Sequence, residues 1–149
     1  MNNAMRLFGA VSISALAWSL PVTAGSCPEE HVLSEARDLG SVSAKGVKVE
    51  VRESIALDGW RETPPLKMRM RHFTIEPGGI VPTHSHGDRP SIIYFVSGVM
   101  TEHNSLCAVP ITHEAGTTAG EFGADIVHWW SNEGDETAIL VSADIVPGN

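Results

Sequence analysis

Residues 78–98 read GGIVPTHSHGDRPSIIYFVSG, and this stretch decides how the fold is interpreted. It contains two histidines, His84 and His86, with one residue between them. In a β-strand the side chains at positions i and i+2 point to the same side, so both imidazoles can reach one point. Two neutral imidazoles that converge are a common start of a transition-metal site. The pair alone is a weak indication, because histidines also occur at surfaces and in cores.

The rest of the chain reads as short strands and turns, since it contains 14 Gly and 9 Pro. The predicted strands are Val47–Val51, Leu66–Ile75, Ile92–Val96, Val99–His103, Cys107–Thr112 and Ala138–Val146, with a turn at Glu76–Gly79. Pro28–Leu39 is the one segment with helical character, and an ordered arm is the alternative. Many short strands over about 110 residues predict an all-β sandwich or small barrel.

Alternation divides the predicted strand Leu66–Ile75 into two faces. The residues of one face are Met68, Met70 and His72, and those of the other are Lys67, Arg69 and Arg71. His72 lies on the same face as the two methionines, which makes it a candidate cavity residue. A buried, hydrogen-bonded histidine is the alternative interpretation.

A third histidine, His128, lies 42 residues after His86 at the head of a second aromatic, strand-like segment. With it the chain resembles the cupins, a family built on a double-stranded β-helix, or jelly-roll, barrel. The family's first motif is Gly, five residues, His-x-His, three or four residues, Glu, six residues and Gly, and its second motif ends in His, three residues and Asn. The matching residues are Gly78, His84, His86, Gly98, His128 and Asn132. The resemblance covers roughly residues 67–145 and implies a cupin barrel.

By this resemblance His84, His86 and His128 are three of the family's four metal ligands. The fourth, a glutamate, is missing, because Pro90 and Ser91 occupy its position. The family's Pro-x-Gly of the second motif is also absent, and only the glycines of the segment 116–123 match its beginning. Three neutral imidazoles leave the charge of a divalent ion uncompensated and favour Fe, Zn, Cu or Ni over Mn or Mg. A degenerate pocket that does not bind metal is the alternative.

Three further residues are candidates for binding the substrate. Arg89 can clamp a carboxylate, although pairing with Asp88 or another acid is the alternative. Ser91 occupies the position of the missing glutamate and can hold a water or simply pack. Trp129 and Trp130 lie on opposite faces of their strand, and Trp129 is taken as the residue at the cavity mouth.

Other polar residues near these motifs are less easily assigned. Glu102 supplies a replacement carboxylate if its strand faces inward. The pair His113-Glu114 and the separate His31 are expected at the surface. No general base is evident beside the histidines, which favours redox chemistry at the metal over proton transfer.

The predicted function is therefore metal-dependent, oxygenase-like chemistry on a small molecule by one divalent transition-metal ion. One alternative is a cupin that binds a metal or a small ligand without turnover, and another is an isomerase-type cupin without metal. The chain has 10 Lys and Arg against 18 Asp and Glu, a net charge of −8, which argues against nucleic acid or an anionic membrane as partner. Cupins often pair through barrel edges, so the resemblance also implies a homodimer.

The N-terminal segment reads as a secretory signal peptide. One basic residue precedes the apolar run Leu7–Leu20, which is followed by small residues up to Ala24. An N-terminal membrane anchor is the alternative, but the run is shorter than the roughly 20 residues that a spanning helix needs. The predicted division is a signal peptide over 1–24, an arm over 25–46 and the barrel over 47–149. Export makes the protein periplasmic or secreted.

In an exported protein the two cysteines, Cys27 and Cys107, read first as one disulfide. Residues 24–27 also form a permissive lipobox, which would make Cys27 a lipid anchor. Two free thiols are the remaining alternative. The disulfide and the lipid exclude each other.

Overall fold

The structure, a computed structural model, describes residues 27–123 and 126–148. The predicted signal peptide, residues 1–24, lies outside the described residues. Within the described ranges no helix is long and apolar enough to cross a membrane.

Eight antiparallel strands form a nearly closed barrel, as the alternating sequence predicted. They are β1 (Lys45–Ala56), β2 (Leu66–Ser85), β3 (Ser91–Ser97), β4 (Val99–Asn104), β5 (Ile111–Glu114), β6 (Thr118–Glu121), β7 (Val127–Ser131) and β8 (Ala138–Pro147). Their order in the sheet is β5-β4-β7-β2-β8-β3-β6, and β1 pairs with β2. The all-β fold class is therefore confirmed.

The N-terminal arm is extended rather than helical, so the helix predicted over Pro28–Leu39 is wrong. Only Glu29–His31 forms one 3-10 turn. The backbone of the arm pairs with the segment after β4 instead: Leu33 N–H donates to Leu106 C=O at 2.9 Å. A helix this short is marginal in water, so the tertiary hydrogen bonds prevail.

The predicted disulfide between Cys27 and Cys107 is confirmed, and it ties the arm to the barrel. A cysteine in a disulfide cannot also carry a lipid, so the lipid-anchor alternative does not hold. Cys107 itself forms an isolated antiparallel bridge with Val32 of the arm, and the strand predicted to begin there begins only at Ile111.

The predicted turn at Glu76–Gly79 is a bulge within one long strand, β2. Val47 of β1 pairs with Ile75 and Lys45 pairs with Ile80, so four residues of β2 face one of β1. Gly79 is required here, because a Cβ would lie 2.7 Å from the Glu76 carbonyl oxygen. Beyond the bulge β2 leaves β8 and pairs with β7, which sets His84 directly opposite His128.

The interior changes from apolar to polar along the strands. At one end lie Phe73, Leu140 and Phe95, which are register neighbours on β2, β8 and β3. Two rows further along, the register neighbours are Arg69, Asp144, Ser91 and Glu121. The arginine face of β2 therefore points inward and the methionine face outward, where Met68 and Met70 are exposed.

This arrangement contradicts the expectation that His72, on the methionine face of β2, lines the cavity. His72 lies on the methionine face of β2 and does not line the cavity described below. The interior at this end of the barrel holds a buried carboxylate, Asp144, and the arginines face it.

Candidate metal centre and adjoining cavity

The three motif histidines converge at the polar end of the barrel. His84 and His128 are paired across β2 and β7, and His86 follows the end of β2. The Nε2 atoms of His84 and His128 are 3.1 Å apart, and the ligand atoms of all three histidines lie within 4.8 Å of one another. His86 and His128 are almost completely buried.

The outer nitrogen of each imidazole makes a hydrogen bond to an oxygen that can only accept. The Nδ1 contacts are Pro82 O at 2.8 Å for His84, Arg89 O at 2.9 Å for His86 and Glu102 Oε1 at 2.8 Å for His128. These contacts assign the proton of each neutral ring to Nδ1, which leaves each Nε2 as an acceptor, and that of His86 already lies 3.3 Å from Arg89 Nη2. The three lone pairs face the same space, which is how proteins prepare histidines for a metal.

His84 is held in the neutral form that a metal ligand requires. Burial, aided by the neighbouring His128, lowers its pKa to about 3. A neutral imidazole at ordinary pH needs no deprotonation before it can coordinate.

Glu121 of β6 places a carboxylate beside His86. Its Oε2 lies 2.8 Å from His86 Nε2 and its Oε1 lies 3.4 Å from His128 Nδ1, and neither oxygen makes a regular hydrogen bond although the side chain is buried. Because Nδ1 of His86 holds the proton, two acceptors face each other, and a cation beside them makes the contact favourable. The Arg89 guanidinium, 3.3 Å from His86 Nε2, is one such cation, and a metal ion held by the histidines would be another. The three imidazole nitrogens thus fit a divalent transition-metal ion, and Glu121 lies next to one of them.

The structure offers a candidate for the carboxylate that the sequence analysis did not find. Ser91, in the position of the family's glutamate, is the register partner of Glu121 across β3 and β6. A carboxylate therefore lies on the strand beside that position. As a ligand it would balance one charge of the ion, which would weaken the argument against Mn.

Glu102 faces inward, as one of the sequence alternatives required, and with Glu121 and His128 it forms a second group of candidate donors, but both of its oxygens already accept hydrogen bonds. Its Oε1 accepts from His128 Nδ1 and its Oε2 accepts from His113 Nε2 at 2.9 Å. Burial would raise the Glu102 pKa, but the hydrogen bonds from His113 and His128 outweigh it and lower the pKa to about 2. Glu102 is therefore ionised and orients His128.

His113 corrects the expectation that it lies at the surface. It is completely buried and stacks on Phe95, with ring centroids 4.8 Å apart. Its position on β5, opposite β4, brings it to the carboxylate of Glu102. Sequence alternation in the four residues Ile111–Glu114 is too short to indicate this.

A cavity of about 260 Å³ adjoins the candidate metal ligands. Arg89 and Ser91, which the sequence analysis named as candidates for binding a substrate, both line it. The two tryptophans alternate as expected, but Trp130 lines the cavity and Trp129 does not. Trp129 stacks on His103 on the other side of the sheet, with ring centroids 3.7 Å apart. The other lining residues are Val49, Arg71, Phe73, Val81, Pro82, His84, His86, Ile93, Glu121, Leu140 and Ser142.

Comparison with solved structures finds proteins of one fold. A recombinant oxalate oxidase in complex with glycolate is 19% identical with a TM-score of 0.51, over 77% of this chain and 60% of that one. An oxalate oxidase in complex with a substrate analogue, glycolate, is 20% identical with a TM-score of 0.50, over 68% and 54%. The cupin domain of Schizosaccharomyces pombe Cnp3 is 10% identical with a TM-score of 0.49, over 69% and 67%.

The chain spans between about half and two thirds of the length of these solved chains. No family model and no curated protein matches the sequence. At these identities the likeness concerns the fold, and the antiparallel barrel agrees with it. The chain therefore has the cupin fold, the double-stranded β-helix barrel that its histidine motifs predicted.

Proposed function

We propose that this protein binds one divalent transition-metal ion through His84, His86, His128 and Glu121 and performs metal-dependent, oxygenase-like chemistry on a small molecule in the adjoining cavity. One observation carries the proposal: the ligand atoms of three buried or partly buried histidines converge, and the buried carboxylate of Glu121 lies 2.8 Å from one of their Nε2 atoms. A cation bound among these acceptors would stabilise them.

A redox-active ion such as Fe(II) supplies Lewis-acid and electron-transfer chemistry at the coordination positions that four protein ligands leave open. Hydrogen bonds within the protein hold the three histidine rings toward these positions. Glu102 and His113 fix the ring of His128, and the carbonyl groups of Pro82 and Arg89 fix the other two rings.

The cavity walls favour redox chemistry over acid–base chemistry. Among the described residues that line it, the titratable side chains other than the arginines are the candidate ligands His84, His86 and Glu121. A carboxylate or imidazole that is engaged by an ion cannot also act as a general base. The apolar walls formed by Phe73 and Leu140 exclude water from the reacting groups. These features argue against the isomerase alternative.

Metal content tests the first half of the proposal. We expect one ion per chain by mass spectrometry of the purified protein, and an affinity more than about a hundredfold weaker in Glu121→Gln. Glu114→Gln is the matched control, because Glu114 is an exposed glutamate on β5, the strand that precedes β6 in the chain. A Glu121→Gln variant that keeps the wild-type affinity would contradict the ligand assignment.

Oxygen consumption tests the second half. The iron-loaded protein is offered a panel of small carboxylates and phenols, and we expect uptake that depends on one class of substrate and disappears in His86→Ala. A protein that holds one ion per chain and consumes no oxygen with any of them would instead support the alternative of a binding protein without turnover.

A further inference from the structure

Three arginines in the barrel share a single carboxylate. The Oδ2 atom of Asp144 lies 2.7 Å from Arg69, 3.0 Å from Arg71 and 3.4 Å from Arg89. Asp144 is buried, and it can balance the charge of only one guanidinium group. Burial lowers the pKa of Arg71 to about 10, which still leaves it charged at neutral pH. Even with Glu121, whose charge also acts on Arg71, three guanidinium groups face two carboxylates, so the cluster keeps an excess of positive charge inside a protein of net charge −8.

Unused hydrogen-bonding groups are concentrated beside this cluster. In the described part of the chain, seven buried side-chain nitrogen or oxygen atoms lack a hydrogen-bond partner, and five of them belong to residues that line the cavity. Two are the Glu121 oxygens assigned above to the ion. The other three are Arg71 Nε, Ser91 Oγ and Ser142 Oγ, all of which can donate. Buried polar atoms almost always have partners, so three unused donors in one cavity indicate a missing acceptor.

Arg89 joins this group of donors to the candidate metal position. Its Nη2 atom lies 3.3 Å from His86 Nε2, the nitrogen that points to the ion. A carboxylate held by Arg89 therefore lies beside the candidate metal position. A second oxygen on the carbon next to that carboxylate would be directed toward the ion.

The cavity also limits the rest of the ligand. Its volume of about 260 Å³ is just below the roughly 300–1,000 Å³ of pockets for drug-sized ligands. Phe73, Ile93 and Leu140 form apolar walls, which suit a carbon skeleton better than a fully hydrated inorganic anion. A planar carboxylate matches the guanidinium groups in geometry and in charge.

We infer that Arg71, Arg89, Ser91 and Ser142 form a carboxylate-binding subsite, and that the ligand of the cavity is a small organic acid with a second oxygen beside its carboxylate. The inference rests on the proposed function, since the second oxygen is directed at the candidate metal position. Asp144 is the positioning residue of the subsite, because it holds the three arginines in place while its single negative charge leaves part of their positive charge unbalanced.

Calorimetric titration of the full chain loaded with redox-inert Zn²⁺ tests this inference. The probes are 2-hydroxy and 2-oxo acids of about two to five carbons, and lactamide is the uncharged partner of lactate. We expect lactamide to bind about tenfold to a hundredfold more weakly than lactate, because it lacks the charge that strengthens the arginine hydrogen bonds. Metal stoichiometry and melting temperature are measured on the same samples.

Arg89→Gln is the informative variant, because Asp144 keeps its ion pairs with Arg69 and Arg71 and the barrel is expected to remain folded. We expect it to lose about tenfold to a hundredfold in lactate affinity and to retain Zn²⁺. Arg52→Gln removes an exposed arginine from β1, outside the cavity, and should change neither property.

Three results would overturn the inference: no binding of any of the acids, equal binding of lactate and lactamide, or an unchanged lactate affinity in folded Arg89→Gln. Tighter binding of inorganic phosphate than of the acids would overturn the carboxylate class as well. The metal stoichiometry separates the two proposals. A protein that takes up no Zn²⁺ but still prefers lactate in an Arg89-dependent way contradicts the metal site and supports the subsite.

Discussion

Replacing Glu102 with glutamine tests how the barrel holds His128 toward the ion. Glu102 does not line the cavity, and its two oxygens accept hydrogen bonds from His128, His113 and Asn104. The change keeps the size of the side chain and removes its charge. We therefore expect the effect on metal binding to act through His128, its hydrogen-bond partner, and through the nearby Glu121.

The hydrogen bonds that Glu102→Gln loses can be followed atom by atom. If the amide oxygen of glutamine keeps His128 Nδ1 and Asn104, its NH₂ group faces the protonated Nε2 of His113, and two donors meet. Moving that proton to His113 Nδ1 removes the clash but leaves a buried N–H without a partner, because Nδ1 has no hydrogen-bond partner in the structure. The reverse orientation places two donors at His128 instead. Either way one strong hydrogen bond is lost.

We expect Glu102→Gln to weaken metal binding about tenfold to a hundredfold, which corresponds to about 1.4 to 2.7 kcal/mol. Competition with a metal-sensitive dye measures the affinity, and the melting temperature of the metal-free variant shows that the barrel is folded. Glu114→Gln on β5 again serves as the control. Unchanged metal affinity in a folded Glu102→Gln protein would refute the argument that His128 is oriented by its outer nitrogen.

Two further predictions follow from buried groups and from the arm. Burial lowers the pKa of His84 to about 3, below its ordinary value of 6.5, so the unfolded chain takes up a proton that the folded one does not. The free energy of unfolding of the metal-free protein should decrease as the pH falls from about 6.5 toward 3. Urea unfolding at a series of pH values measures this, and His84→Asn should flatten the dependence of stability on pH. An equal dependence in the variant would contradict the prediction. Reducing the bond between Cys27 and Cys107, which are separated by 80 residues, should lower the free energy of unfolding by about 4 kcal/mol by loop entropy. Denaturant unfolding of the double serine variant measures this, and a loss below about 1 kcal/mol would mean that the arm is held by its hydrogen bonds alone.

The sequence was sufficient for the barrel and for the histidines, because both depend on local spacing. Alternation predicted most strands, and the i, i+2 spacing of His84 and His86 placed both rings on one side. The pairing of His84 with His128 joins strands that are distant in the chain, and only the family resemblance indicated it.

Glu121 and the arginine cluster show why the rest could not be predicted. Glu121 becomes a candidate ligand only when β6 is known to lie beside Ser91, and no local pattern contains that pairing. Arg69 and Arg71 share one face of β2, but hydrophobicity alone would turn that face to solvent. It faces inward because Asp144 is its register neighbour on β8. In both cases a tertiary contact overrides the local preference.

The bulge at residues 76–79 bears on how the ligand site of such a protein can be altered by insertions or deletions. It lies on β2 between Arg71, assigned to the organic acid, and His84, assigned to the ion, so a single strand carries both halves of the site. Lengthening or shortening the bulge would slide one half relative to the other without altering any residue that touches a ligand. The bulge thereby acts as an adjustable spacer, and ligands of different length could be accommodated by insertions there while the chemistry at either end stays the same.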